Sequence, residues 1–189
     1  VKDFEAFDAD ATLSKDCKYL FSIGGDGTLL RSIPFVKDTE IPILGINTGR
    51  LGFLTSLQKE SLNEALDKFF DEKFSFIKRS LLEVELSPTS AEEIKFGYAL
   101  NEISINRKNT TAMLSIATQI DREYLTTYWA DGLIIATPTG STGYSLSSGG
   151  PILTPETKGI VLNPIAPHNL NIRPLVVPEK AEIQISVEG

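Results

Sequence analysis

The hydrophobic pattern changes its period once along the chain, near residue 79. Before that point apolar runs alternate with helical spacing. "KYLFSI" (18–23) is a short apolar run that ends at glycines and reads as a buried parallel strand. Beyond it Leu29, Leu30 and Ile33 recur at helical spacing, and Pro34 is expected to end or bend that helix. "IPILGIN" (41–47) predicts a second buried strand, followed by the turn "NTGRLGF". In "SLNEALDKFF" the residues Leu62, Ala65, Leu66, Phe69 and Phe70 fall on one face of a helix, and Ser61 with Glu64 has the capping-box pattern.

From Arg79 onward the period is 2. "LLEVEL" alternates Leu82, Val84 and Leu86 with Glu83 and Glu85, as a strand with one wet face does. "EISINR", "MLSIATQI", "EYLTTYWADGLIIATP" and "EIQISV" continue in the same manner, and only a short helix near Gly143 to Ser148 is expected among them. The reading is an α/β domain, Rossmann-like, over residues 1–78, then an antiparallel all-β domain over residues 79–189. The chain opens at Val1 on an acidic stretch and stops at Gly189 straight after a strand pattern, so sequence is expected to be missing at both ends.

Composition narrows the partners. A net charge of −7 argues against wrapping nucleic acid or docking on anionic membrane, both of which need basic surface. The single cysteine, Cys17, excludes an intrachain disulfide and suits a reducing, cytoplasmic setting. No apolar run approaches the ~18 residues of a membrane span, and no signal peptide is visible.

The first candidate chemistry is "SIGGDGTLL" (22–30), where Asp26 sits among Gly24, Gly25 and Gly27 after a predicted strand and before a helix start. Backbone N–H groups at such a turn bind anions. The loop lacks the lysine of a Walker A loop and the spacing of a dinucleotide fingerprint. Its alternative reading is a strand-to-helix turn capped by Asp26. In the β half, "NE" (101–102) joins an amide to a carboxylate, a pair suited to ribose hydroxyls; the alternative is that both merely open a strand. "TPTGSTGYS" offers hydroxyls on Thr139, Ser141, Thr142 and Ser145, approachable backbone at Gly140 and Gly143, and the ring of Tyr144. It reads as an adenine-binding loop, or else as a polar turn. Asp131, ahead of the apolar "LIIAT", is either paired and partly buried or aimed into a pocket.

"GGDGT" is shared by a kinase superfamily of NAD kinases, diacylglycerol and sphingosine kinases and, more loosely, 6-phosphofructokinases. Four further stretches resemble the NAD kinase family in its own order: "NTGRLGFLT" (47–55), "LNEISI" (100–105), "DGLIIATPTGSTGYSLSSGGPIL" (131–153) and "PIAPHNLNIRPLVVP" (164–178). The resemblance covers the chain from about Lys18 to Pro178. It implies phosphorylation of the adenosine ribose 2′-hydroxyl of NAD to give NADP, with ATP or polyphosphate as donor and Mg²⁺ carried mainly on donor oxygens. Asp26 would be the catalytic base. Gly24, Gly25, Gly27, Thr28 and Arg50 would meet the donor phosphates. Asn101 and Glu102 would hold a ribose, and Thr139, Thr142, Gly143, Tyr144 and Ser147 would line the NAD site, with Gly27 and Phe53 beside it. Asp131 would reach the nicotinamide end from a neighbouring subunit, which implies a homo-oligomer, a dimer or tetramer. Gly143 stands where many members have alanine. Read alone, Phe53 favours ordinary core packing, His168 a structural hydrogen bond and Arg31 a solvated charge. The competing readings are a lipid or sugar-phosphate kinase of the same superfamily and a non-catalytic dinucleotide-binding module.

Overall fold

The computed structural model describes residues 13–14, 16–37, 39–49, 52–55, 57–86, 97–108 and 112–188. The chain divides into two compact units, Val1–Ile77 and Lys78–Gly189. The first is α/β and the second is antiparallel β.

The first unit contains β1 (Leu20–Gly24), α1 (Asp26–Val36), β2 (Ile43–Asn47), β3 (Leu57–Gln58) and α2 (Leu62–Phe70). The strands pair in parallel in the order β1-β2-β3, and the register sets Gly24 beside Asn47 at the carboxyl ends of β1 and β2. Leu29, Ile33 and Val36 give α1 its buried face against the sheet. Phe69 of α2 packs edge-on against Tyr19 and Phe21 and stacks on Phe74.

Three local expectations change here. β1 is a parallel strand but not a buried one: Ser22 is its buried residue, while Phe21 and Ile23 on the other face are exposed. Pro34 lies inside α1 without ending it, because so near the C-terminus the missing N–H forfeits only a last-turn bond; the helix closes at Lys37, whose N–H donates to the Ile33 carbonyl. The capping box does not form. A 3₁₀ turn over Lys59–Ser61 precedes α2, the Ser61 hydroxyl donates back to the Gln58 carbonyl, and Glu64 pairs with Lys68 one turn on.

The second unit holds β4 (Leu82–Glu83), β5 (Tyr98–Ala99), β6 (Glu102–Asn106), β7 (Leu114–Ile120), β8 (Glu123–Ala130), β9 (Gly132–Ala136), α3 (Tyr144–Ser147), β10 (Gly159–Ile165), β11 (Leu175–Pro178) and β12 (Ile183–Glu188). They form a four-stranded sheet β11-β10-β9-β6, a three-stranded sheet β12-β7-β8 and the short pair β4-β5, antiparallel throughout. "LLEVEL" therefore pairs over less of its length than its alternation predicts. "EYLTTYWADGLIIATP" is two strands, since the chain passes from one sheet to the other at Asp131.

That switch explains the continuous apolar run of β9, which is buried along its whole length. Leu133 and Ile135 join the main core with Ile116, Tyr128, Ile160 and Leu162, whereas Ile134 and Ala136 pack with Val161 and Leu153 in a second cluster. Pro164 is tolerated in β10 because β11 stops pairing at Leu162. Leu162 is fully buried, so Leu162→Ala should lower the unfolding free energy by about 2–5 kcal/mol, read as a lower urea midpoint at unchanged slope.

Candidate active site

Asp26 opens α1, and Gly25 occupies the N-cap position without a side-chain cap bond. The carboxylate does not cap its own helix. It turns instead to the loop that follows β2, where it accepts the backbone N–H groups of Phe53 (2.7 Å), Leu54 (3.1 Å) and Thr55 (3.2 Å) and the Thr55 hydroxyl (3.3 Å). Burial raises the Asp26 pKa, but these four hydrogen bonds outweigh it and hold the carboxyl below its ordinary 3.8. Asn47 anchors the arrangement: its amide donates to the Thr55 oxygen (3.0 Å) and its carbonyl accepts the Gly49 N–H (2.8 Å).

The loop glycines divide by what a side chain would meet. At Gly24 a Cβ would run into Thr28, and at Gly52 it would run into the Asp26 carboxylate. At Gly25 and Gly27 it would meet nothing within 4 Å. Neither is therefore required by packing, although Gly27 costs the first turn of α1 about 1 kcal/mol relative to alanine. Phe53 is 78% exposed, which overturns the core-packing reading of its ring. Arg31 is an exposed side chain whose Nε donates to the Gly27 carbonyl. Arg50 lies outside the described residues.

In the second unit, the segment after β9 folds back on the start of β6. Thr137 donates its N–H to the Asn101 carbonyl (2.9 Å) and its hydroxyl to the Leu100 carbonyl (2.5 Å), and it accepts the Gly140 N–H (3.0 Å). Gly140 lies so close to the Asn101 backbone that a Cβ would overlap it. A Cβ on Gly143 would stand 2.9 Å from Glu102 Oε2, and the Tyr144 N–H donates to the Glu102 carboxylate. Asn101, Glu102, Gly143 and Tyr144 are thus brought together.

Two acceptors in this cluster, Asn101 Oδ1 and Glu102 Oε2, are buried without a hydrogen-bond partner. Burial raises the Glu102 pKa above its ordinary 4.5, against a smaller lowering by the Tyr144 N–H. Orphaned buried acceptors are costly, and a ligand that supplies donors relieves them.

The hydroxyls of the loop are largely committed to the protein itself. Ser141 and Ser145 are fully buried; Ser141 bonds Pro138 and Leu153, and Ser145 accepts from Asn163. These two are framework, which corrects the expectation that they face a ligand. Thr142 and Ser147 donate to the carbonyls three residues back, and Thr139 accepts from Arg79 (3.3 Å). Tyr144 keeps an exposed ring.

Asp131 is a predicted site residue of the second unit that this cluster does not include. Glu102 pairs with Ala136 at one end of β9 and Asp131 precedes the other end, which at 3.3–3.4 Å per residue places them about 17 Å apart. Of the two readings of Asp131, the structure has the paired, partly buried one: its Oδ1 lies 2.9 Å from Arg107, whose N–H also donates to the Asp131 carbonyl. His168 lies at this same end, donating its N–H to the Trp129 carbonyl (2.8 Å), and Asn169 bonds both Trp129 and Thr127.

The sequence reading missed Thr55, Asn47, Thr137, Asn163, Arg107 and Asn169. Asn163 had a signal, as a lone polar residue in the apolar run "GIVLNPI". Among the described residues no group of three or more His, Cys, Asp or Glu side chains could hold a metal ion, and no helix is long and apolar enough to cross a membrane.

The sequence matches the family described as ATP-NAD kinase N-terminal domain over residues 2–74 and that described as ATP-NAD kinase C-terminal domain over residues 100–188. It is 51% identical to an NAD kinase from Christiangramia forsetii over 188 residues and 48% identical to one from Flavobacterium johnsoniae. Each alignment covers 100% of this chain, which spans 64% of either relative's length. Among solved structures, yeast NADH kinase complexed with NADH superposes with a TM-score of 0.83 at 34% identity, over 90% of this chain and 50% of that one. An NAD kinase from Archaeoglobus fulgidus in complex with ATP gives 0.77 at 33% identity, over 92% and 66%.

Proposed function

The chain belongs to the NAD kinase family, and on that premise we propose that it phosphorylates the adenosine ribose 2′-hydroxyl of NAD to give NADP, with ATP or polyphosphate as donor. The observation that carries this reading is a carboxylate, Asp26, fixed by four hydrogen bonds and set between two glycines, Gly25 and Gly27, that packing does not explain. Gly25 and Gly27 leave the backbone open to phosphate oxygens. The buried acceptors of Asn101 and Glu102 match hydroxyl donors of a ribose. Similar proteins are solved with NADH and with ATP, which supports a dinucleotide and a triphosphate as the ligand classes.

In the reaction, the 2′-oxygen forms a bond to the terminal phosphorus of the donor while the bridging P–O bond breaks. The hydroxyl proton passes to Asp26, and the donor leaves as ADP or as a polyphosphate one unit shorter. An aspartate held below its ordinary pKa is a weak base for an alcohol, and a loose phosphoryl-transfer transition state asks for little more, since positioning and charge stabilisation dominate it. The described residues form no carboxylate cage for Mg²⁺, and the Asp26 oxygens are already engaged. Mg²⁺ carried by the donor would offset the charge of its phosphates beside Asp26.

The placement of Asp131 about 17 Å from Glu102, at the opposite end of the β6-β9 pair, supports its serving a second copy of the chain, and hence a homo-oligomer, a dimer or tetramer; a cytoplasmic setting is proposed from the lone cysteine. Two assays test these readings. The full-length protein incubated with NAD, Mg²⁺ and ATP or polyphosphate should form NADP; NAD binding without turnover would favour a binding module. Mixing inactive Glu102→Ala with inactive Asp131→Ala should restore roughly a quarter of the wild-type activity, because random dimers rebuild one intact site in half of the molecules. No recovery on mixing, with exchange of subunits verified, would place Asp131 outside the shared site.

A further inference from the structure

We propose that the cleft at the carboxyl end of β2 seats the phosphoryl donor and that Lys59 supplies the positive charge that holds its phosphates. The inference rests on the kinase reading above and assigns the donor's place within the first unit.

The cleft is lined by Asn47, Thr48, Gly49, Gln58, Lys59 and Glu60 and has a volume of about 330 Å³. It lies where open parallel sheets bind ligands, outside the carboxyl ends of the strands. Thr48 donates its N–H to the Gly24 carbonyl (3.3 Å), so the cleft's lining is tied to the residue that opens the Asp26 loop. Its other neighbour in the lining, Asn47, is the residue whose amide holds Thr55, and Thr55 in turn holds Asp26. The cleft is therefore separated from the proposed base by a short chain of hydrogen bonds, Asn47 to Thr55 to Asp26.

The chemistry of the lining fits an anion with several acceptor oxygens. Lys59 forms no ion pair among the described residues, in contrast to Lys68 and Lys73 nearby in the chain. The Thr48 hydroxyl and the Gln58 amide add neutral donors. At Gly49 a Cβ would meet nothing within 4 Å, so the backbone there stays open to close approach, as it does at Gly25 and Gly27. Glu60 opposes a bare polyphosphate more strongly than one whose charge Mg²⁺ partly cancels, so the cleft favours the complexed donor. Arrangement and charge both point to a phosphate chain rather than a nucleobase, because no aromatic ring lines the cleft among the described residues.

Lys59→Met and Lys59→Arg in the full-length protein test the assignment. With NAD saturating, Lys59→Met should raise the KM for the Mg²⁺ complex of ATP at least tenfold, Lys59→Arg should restore it, and the KM for NAD should stay within about twofold. An unchanged donor KM overturns the proposal. Should the parent protein make no NADP, the kinase reading fails by itself, and titration calorimetry with Mg²⁺-tripolyphosphate decides the cleft separately. Binding that Lys59→Met weakens at least tenfold supports it, and binding that is absent or indifferent to Lys59 overturns it.

Discussion

Asp26→Asn should lower the rate of NADP formation about 10³-fold while NAD affinity changes by no more than about threefold. The substitution acts twice. It removes the group proposed to accept the 2′-hydroxyl proton, and it presents an amide NH₂ where the carboxylate meets the backbone N–H groups of Phe53, Leu54 and Thr55. Thr55→Val separates the two effects. It deletes one hydrogen bond to the carboxylate and the one Thr55 accepts from Asn47, while the three backbone N–H bonds keep the carboxylate in place, so its rate should fall no more than about tenfold. Wild-type-like turnover in Asp26→Asn, measured by NADP formation at saturating NAD and donor, would remove Asp26 from the mechanism.

The two perturbed carboxyls also order the pH profile. Burial holds Glu102 above its ordinary 4.5, whereas the hydrogen bonds of the 53–55 loop hold Asp26 below 3.8. On acidification from neutrality Glu102 protonates first, so KM for NAD should rise before kcat falls. A kcat that falls first would reverse the assignment of the two groups. Stability carries the same sign at Asp26: a depressed folded pKa contributes stability that is fully present above the unfolded value near 3.8. That contribution is lost as pH falls through the lower folded value.

What the sequence discloses here depends on how local the cause is. The parallel pair β1-β2, the helix α2 and the antiparallel β half follow from period alone, since apolar positions at 3.6 or 2 state which face is buried. The exposure of Phe21 and Ile23 does not follow, because a run of apolar residues says that a strand is apolar without saying what covers each face. Ser61 and Glu64 had the letters of a capping box, and the 3₁₀ turn that unmade it arises from the chain entering α2 by way of β3. At the candidate site, Asp26, Asn101 and Glu102 stand out in the sequence by residue type and spacing. Their partners do not. The residues that hold Asp26 lie 27 to 29 positions away in sequence, and the bond from Thr137 to Leu100 spans 37. Ser141 and Ser145 show the converse error, where a hydroxyl in a ligand-like motif turned inward to secure the loop.

Gly140→Ala should abolish NADP formation and NAD binding together, whereas Gly143→Ala, three residues on in the same loop, should leave both within about threefold. The two glycines differ in what the added methyl meets. At Gly140 it overlaps the carbonyl, the carbonyl carbon and the Cα of Asn101, all backbone at the entry to β6. Relief requires the loop to move away, and that breaks the Thr137 N–H to Asn101 carbonyl bond and the Gly140 N–H to Thr137 hydroxyl bond that lock the two segments. The orphaned acceptors of Asn101 and Glu102 then lose the geometry that makes them a site. At Gly143 the methyl meets Glu102 Oε2 at 2.9 Å and the Gly140 carbonyl at 3.2 Å, and the carboxylate is the end of a side chain that can give by a few tenths of an ångström. Titration calorimetry with NAD and urea unfolding on the same preparations distinguish a lost site from a lost fold. If Gly140→Ala unfolds near the parent midpoint yet binds NAD normally, the contact between the glycine loop and Asn101 does not shape the dinucleotide site.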